Sequence, residues 1–550
     1  MKKTIFFAAV AGLFVFSSCA SKLDVTPPNS ITEEQVVNLM ENGDDATKQK
    51  IMNAIAAPMP RYLNWWGING QGVADPCVYC YQGLDWGRCL QGNDVVIGVD
   101  ANTNELAGKN LYELNYDYTA PAAKGNHAAW FGCAYAINQA NLLLNYMTTE
   151  QAAKDDLFKD GRARGLVVRA YNYMRLMEDF VDAYAQGGKN KLGMSWYDKY
   201  DPKQTPVARS TAQETWANIK ADLAEAISLL EGAKIGYTTT SLEDIDLGVA
   251  KFLYARACLL TEDWTNCINA CKDIINNSGL TLISENLYGG HNSGTFTPAG
   301  VLYYPENNAF TSVRKNTECI FGFIRTSTMN GANYHTSLAN PFGSYSMRGT
   351  QPRIDDRLYN KINDDDFRKD CFNPTALGDY YSATSEATGF IPAYTAYKFA
   401  ATHGLSDDGT DHTGDNQAGA QEFCQFRLAE VYLMKAEAEN SSNSTSDATN
   451  TINALLKART KAGKTALTFA NYGAGTDLTK FIQLQWRIEM WGEGGREYFN
   501  NKRWGVDVDR AGSTVHTALT TVAGATYPYT KMTLKITQRE IEDNNLCVQD

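Results

Sequence analysis

The sequence predicts a mainly α-helical fold, a tetratricopeptide-like scaffold of helix–turn–helix pairs that carries long irregular loops and a few short strands. Three observations lead there. Apolar residues recur at steps of three and four through several segments, the period of a helix face. Some of these segments stand back to back across short turns, as at Thr261–Asp263. Two long stretches, residues 58–125 and 280–420, are instead rich in Gly, Asn, Thr, Asp and Tyr and lack that period.

Taken in order, "TEEQVVNLMENG" opens with Thr32 and carboxylates in its first turn, a good helix start. "HAAWFGCAYAINQANLLLNYM" (His127–Met147) is apolar along a wide stripe. In the next segment Val167, Ala170, Tyr171, Met174, Met177 and Val181 keep the helical step. Trp216, Ile219, Leu223, Ile227 and Leu230 do the same. "VAKFLYARACLL" and "WTNCINACKDIINNSG" form a pair, the second stopped by Gly279. Late in the chain "FCQFRLAEVYLMKAEAEN" and "DATNTINALLKART" flank a Ser/Thr/Asn turn, and a last helix runs from about Leu478 to Gly492. The helical scaffold thus covers about 126–280 and 421–505. The two long stretches read as loops laid on it, and loops of that length in a compact domain are usually functional.

The chain begins with Lys2 and Lys3, a twelve-residue apolar run from Ile5 to Phe16, and then Ser17-Ser18-Cys19. A bilayer-spanning helix needs about 20 apolar residues, so the run reads as a secretory signal. Phe16–Cys19 resembles a lipobox, which implies cleavage before Cys19 and acylation of its thiol. The expected organisation is a signal peptide over 1–18, a lipidated tether over 19–30 and one domain over 31–550.

The 550 residues carry a net charge of −12. Nucleic-acid binding calls for a basic stripe, so the acidic balance argues against it. It suits neutral ligands such as sugars. Of 12 cysteines, Cys77, Cys80 and Cys89 lie close enough in sequence for one disulfide, its pairing open. A zinc site would lack a fourth ligand. Cys133, Cys258, Cys267, Cys271 and Cys424 read as small buried apolar residues.

No GxSxG elbow, HExxH pair or dinucleotide fingerprint occurs. "GKT" at Gly463–Thr465 has Ala458 where a phosphate loop needs its first glycine. Asp364–Asp366 and Asp407–Asp415 do not fit a twelve-residue calcium loop and read as solvated acidic segments. No cofactor is expected, with room left for a structural calcium ion.

"FRLAEVYLMKAEAEN" (Phe426–Asn440) resembles the R-x-A-E-x-Y-L-x-x-A-E-A helix of the SusD/RagB family. "RIEMWGEGGREYFNNKRWG" (Arg487–Gly505) resembles that family's R-x-E-(x)-E-G-x-R…R-W-G signature. "CASKLDVTPPN", "INQANLLL", "GRARGLVVRAYNYMRLMEDF", "IKADLAEAISLL" and "KITQREIEDN" match further family segments in the same order. Asn500 and Asn501 stand where Asp-Leu is common, and the terminal Q-N-P-x-Y is absent. These departures mark a divergent branch.

The resemblance implies a surface lipoprotein, non-catalytic, that captures a glycan and hands it to a TonB-dependent SusC-like outer-membrane transporter. A peptide-binding RagB-like lid and a surface glycoside hydrolase are the alternatives. Sugar recognition needs exposed aromatic faces with polar groups at the rim. The first loop region offers Tyr79, Tyr81, Trp86, Asn93 and Asp94; the second offers Tyr288, Tyr303, Tyr304 and Tyr334. On this reading Trp86→Ala weakens binding and leaves the melting temperature nearly unchanged. Glu430, Glu437, Glu493 and Arg496 are implied to be buried ion pairs that fix the C-terminal packing.

Overall fold

The computed structural model describes residues 33–64, 81–97, 124–201, 203, 205–237, 241–290, 307–324, 339–341, 351–381, 388–401, 422–516 and 526–549. The chain divides into two compact units, Met1–Pro58 and Met59–Asp550. In the first, α1 (Glu33–Asn42) packs on α2 (Asp45–Ile55). The Asp44 carboxylate accepts from Thr47 N at 2.8 Å and so caps α2.

The second unit is built on a run of helices. Its early members are α3 (Tyr81–Gln91), α4 (Lys124–Tyr146), the short α5 (Thr149–Ala152), α6 (Asp156–Phe180), α7 (Ala212–Gly232), α8 (Leu247–Leu260) and α9 (Trp264–Asn277). After the one-turn α10 (Asp356–Tyr359) come α11 (Leu428–Ser441), α12 (Thr445–Ala458), α13 (Leu478–Glu489), α14 (Arg496–Trp504) and α15 (Gln538–Asp543). Contacts run α4–α6–α7–α8–α9–α11–α12, with α13 also against α11.

Local chemistry sets the ends. At α7, Glu214 N donates to Thr211 Oγ1 and Thr211 N to Glu214 Oε2, a reciprocal cap. The Asp246 carboxylate caps α8. Gly279 takes a left-handed φ of 73°, which ends the pair α8–α9 where the sequence placed its stop. Helix α6 lies between α4 and α7, and most of its residues are buried, so it is the central element of this half.

The strands are short. A four-stranded sheet has the order β1 (Val95–Val96), β5 (Arg353–Ile354), β9 (Thr395–Ala396), β6 (Phe372–Asn373). The two-stranded pairs are β2 (Leu192–Ser195) with β3 (Arg209–Thr211), β4 (Cys319–Phe323) with β10 (Phe423–Arg427), β7 (Leu377–Tyr381) with β8 (Thr388–Ile391), and β11 (Val508–Asp509) with β12 (Thr526–Tyr527).

Two expectations are corrected here. The segment at Phe423, read as the start of a helix, is strand β10, antiparallel to β4 with Phe423 opposite Phe323. The helix begins only at Leu428. Residues 81–91, read as loop, form the buried helix α3. Gly83 and Gly87 lower its intrinsic helicity, and burial on every side overrides that preference.

Candidate functional site

Five of the residues expected at the ligand surface lie inside the protein. Trp86 and Tyr81 are each 1% exposed. The Trp86 ring lies against Gly492, where a Cβ would stand 3.7 Å from its Cζ3. The Tyr81 hydroxyl donates to Asn172 Oδ1 at 2.5 Å, and Arg175 sits over the Tyr81 ring. Arg175 also pairs with Asp85 at 2.5 Å, and Arg88 with Asp179 at 2.7 Å. Helix α3 is therefore a charged, ring-bearing plug seated on α6, and its aromatic faces are not offered to solvent. Tyr288 is likewise buried, its hydroxyl donating to Glu489 Oε1 at 3.2 Å.

Asn93 and Asp94 are corrected in the same way. Asn93 N and Asp94 N both donate to the Glu497 carboxylate, at 2.7–3.0 Å. Asp94 accepts from Arg487 at 2.5 and 2.9 Å, and its carbonyl accepts from Trp491 Nε1 at 2.9 Å. Asn93 Oδ1 accepts from Asp509 N at 2.7 Å. The Asn93 carbonyl accepts from His516 Nε2 at 2.7 Å, which fixes the tautomer that carries its proton there. Gly92 is the residue this seal demands, because a Cβ would fall 1.9 Å from a Glu497 oxygen.

Burial first, then the Asp94 charge, push the Glu497 carboxyl up to about 7. A carboxyl raised by folding holds its proton more tightly in the native state. Its contribution to stability is full below the ordinary value of 4.5 and is lost as pH rises through about 7. The chain's melting temperature is therefore expected to fall more between pH 5 and 8 than that of Glu497→Gln, as read by differential scanning fluorimetry. Parallel slopes would refute the assignment.

The C-terminal signature residues do form buried pairs. Glu430 receives Arg256 at 2.5 Å, and Arg496 Nε lies 2.8 Å from the same oxygen. Glu437 is clasped by the fork of Arg503 and by Trp504 Nε1 at 2.8 Å. Glu493 binds Arg427 at 2.7 Å and Lys398 at 2.5 Å. Deeper still, Glu489 is the hub of Arg427, Arg459 and Arg368, at 2.7–3.0 Å. Glu318 joins Arg427 and Arg459, and Asp366 pairs with Arg368. The four cations Arg368, Arg427, Arg459 and Lys398 meet the four carboxylates Glu318, Asp366, Glu489 and Glu493, so the buried charge balances.

Cys89 is a buried free thiol, so it is not bridged to Cys77 or Cys80, which lie outside the described residues with Cys19. Tyr79, Tyr303, Tyr304, Tyr334 and Asp407–Asp415 also lie outside them. Among the described residues no group of His, Cys, Asp and Glu is arranged to hold a metal. In the other acidic run, Asp364 pairs with Lys369 and Asp365 with Lys464, whereas Asp366, read as solvated, is buried against Arg368.

One cleft among the described residues has the chemistry of a small-molecule site. It lies between α4, α6 and the segment 194–201, with a volume of about 180 Å³. Trp130, Tyr173 and Tyr197 supply its rings. Asn138, Lys199, Asp201 and Glu540 supply polar groups. The wall is held rigidly. Tyr173 Oη donates to the Ser195 carbonyl at 3.1 Å and accepts from Tyr197 N at 2.7 Å. Asn141 and Asn145 donate to the carbonyls of Tyr197 and Tyr200, at 2.8 and 3.0 Å. Arg169 holds the Asp198 carbonyl at 2.8 Å and is itself paired with Asp222. Trp130 Nε1 donates to Glu540 Oε2 at 3.3 Å. Sequence reading missed this site, although Trp196–Asp201, rings alternating with charges between two helical segments, is a visible signal.

The family model described as "Starch-binding associating with outer membrane" matches residues 94–239. The model of the SusD family matches residues 330–546. No curated protein matches the chain. Among solved structures it is similar to a SusD superfamily protein from Bacteroides thetaiotaomicron, with TM-score 0.66 and 18% identity over 90% of this chain and 98% of the other. It is similar to a SusD-like carbohydrate-binding protein from Bacteroides vulgatus, with TM-score 0.64 and 18% identity over 90% and 96%. It is also similar to surface glycan-binding protein A from Bacteroides thetaiotaomicron, solved with laminarihexaose, with TM-score 0.59 and 15% identity over 91% and 99%. Those identities speak for the fold, and the two family models, which between them take in most of the chain, speak for descent: the chain belongs to the SusD/RagB family.

Proposed function

We propose that this protein captures glycans at the cell surface and passes them to a TonB-dependent SusC-like transporter, breaking no bond. The observation that carries this reading is the match of residues 94–239 to a starch-binding, outer-membrane-associated family. Glu430, Glu437, Glu489 and Glu493 are all engaged by cations, which leaves none of them poised as an acid or base. The lipobox-like Phe16–Cys19 supports acylated Cys19 as the membrane tether. Tyr79, Tyr303, Tyr304 and Tyr334 keep the ligand-facing role that the family resemblance gives them.

Affinity electrophoresis of the full mature chain tests this. Migration is expected to be retarded in a gel containing at least one polysaccharide of a diverse panel. Unretarded migration in every gel would overturn glycan capture, and release of reducing sugar would overturn the non-catalytic reading.

A further inference from the structure

We propose that the cleft between α4, α6 and residues 194–201 binds a single neutral pyranose ring, as a site separate from the one that grips a long chain. The inference rests on the glycan reading above. Size argues for one ring. About 180 Å³ is less than the ~300–1,000 Å³ of pockets that take larger ligands.

Chemistry argues for a neutral sugar. The half-buried Tyr197 offers ring surface to the C–H face of a pyranose, and the largely buried Trp130 floors the cleft beside it. Among the described residues the exposed amide of Asn138 has no side-chain hydrogen-bond partner, and an amide both donates to and accepts from hydroxyls. Asp201 and Glu540 are acceptors for hydroxyl protons, and the exposed Lys199 is a donor. Asp201 and Glu540 against the single cation Lys199 leave the rim net negative, which disfavours uronates and sulfated rings.

Rigidity argues that the site is built. Carbonyls of Ser195, Tyr197, Asp198 and Tyr200 are each met by a side chain from α4 or α6. Trp196 stacks on Tyr173 with ring centroids 4.1 Å apart, and the Arg169 guanidinium carbon lies over the Trp196 ring, 5.6 Å from its centroid. The wall is ordered before a ligand arrives, so little conformational entropy is lost on binding.

The test uses the full mature chain and methyl glycosides of glucose, galactose, mannose, xylose and N-acetylglucosamine. Saturation-transfer NMR is expected to show binding of at least one. Asn138→Trp, which fills the cleft from an exposed helix position, is expected to abolish that signal. Its melting temperature and its retardation in polysaccharide gels should match the parent's. Asp201→Ala is expected to weaken glycoside binding at least fivefold. A parent that is retarded by polysaccharide yet binds no methyl glycoside would overturn the inference and leave glycan capture standing. Undiminished glycoside binding by Asn138→Trp would also overturn it. Loss of polysaccharide retardation in Asn138→Trp would overturn the separateness of the two sites. Glycoside binding without retardation in any gel would instead uphold the cleft and sink polysaccharide capture.

Discussion

Replacing Glu489 by glutamine is expected to destabilise the protein by ~3–5 kcal/mol, the cost of removing one partner from a buried ion pair. Glu489 is 0% exposed and accepts from three guanidinium groups and the Tyr288 hydroxyl. Without its charge, Arg368, Arg427, Arg459 and Lys398 face only Glu318, Asp366 and Glu493, and one positive charge is left buried without compensation. The loss has a pH signature. Against the push of burial, Arg459, then Arg427 and Arg368, hold the Glu489 carboxyl well below the ordinary 4.5. A depressed carboxyl stabilises the folded state above its unfolded value, and that stability is lost as pH falls through the folded one. The gap between parent and Glu489→Gln in urea midpoint should therefore be widest near neutrality and narrow below pH 4.5. A gap that is absent at pH 7 would refute the hub.

Trp86→Ala is the second large effect, ~3–5 kcal/mol from lost burial and the cavity left behind. The ring is sealed between α3 and the turn at Gly492 and cannot reach solvent. The molecules that remain folded should migrate in polysaccharide gels as the parent does. A variant with normal melting temperature and lost retardation would restore Trp86 to the ligand surface.

The scaffold was legible wherever one helix face buries a stripe. Ile219, Leu223 and Leu230 of α7, each 0% exposed, are such positions. The turn at Thr261–Asp263 and the stop at Gly279 were legible because their chemistry is local. Helix α3 was not, because its two glycines and its Asp85 and Arg88 look like loop. Their partners, Arg175 and Asp179, lie about ninety residues away. Strand β10 was absorbed into the helix that follows it without a break, since its partner β4 is a hundred positions earlier in the chain. The family signature carried the ion pairs of Glu430, Glu437 and Glu493. Composition alone could not separate a ring on a loop from a ring beneath one, and so Tyr81 and Trp86 were misplaced.

The contacts of Asn93 with Glu497 span 404 positions. A ribosome adding about 5–20 residues per second needs roughly 20–80 s to cover that interval. For that time the early segment waits for the lid that closes it, and native closure must follow the emergence of Glu497. A nick or premature stop before Glu497 thus acts at the far end of the sequence: it uncovers Gly92–Val96, leaving peptide groups and the apolar strand β1 open to proteases and to other chains.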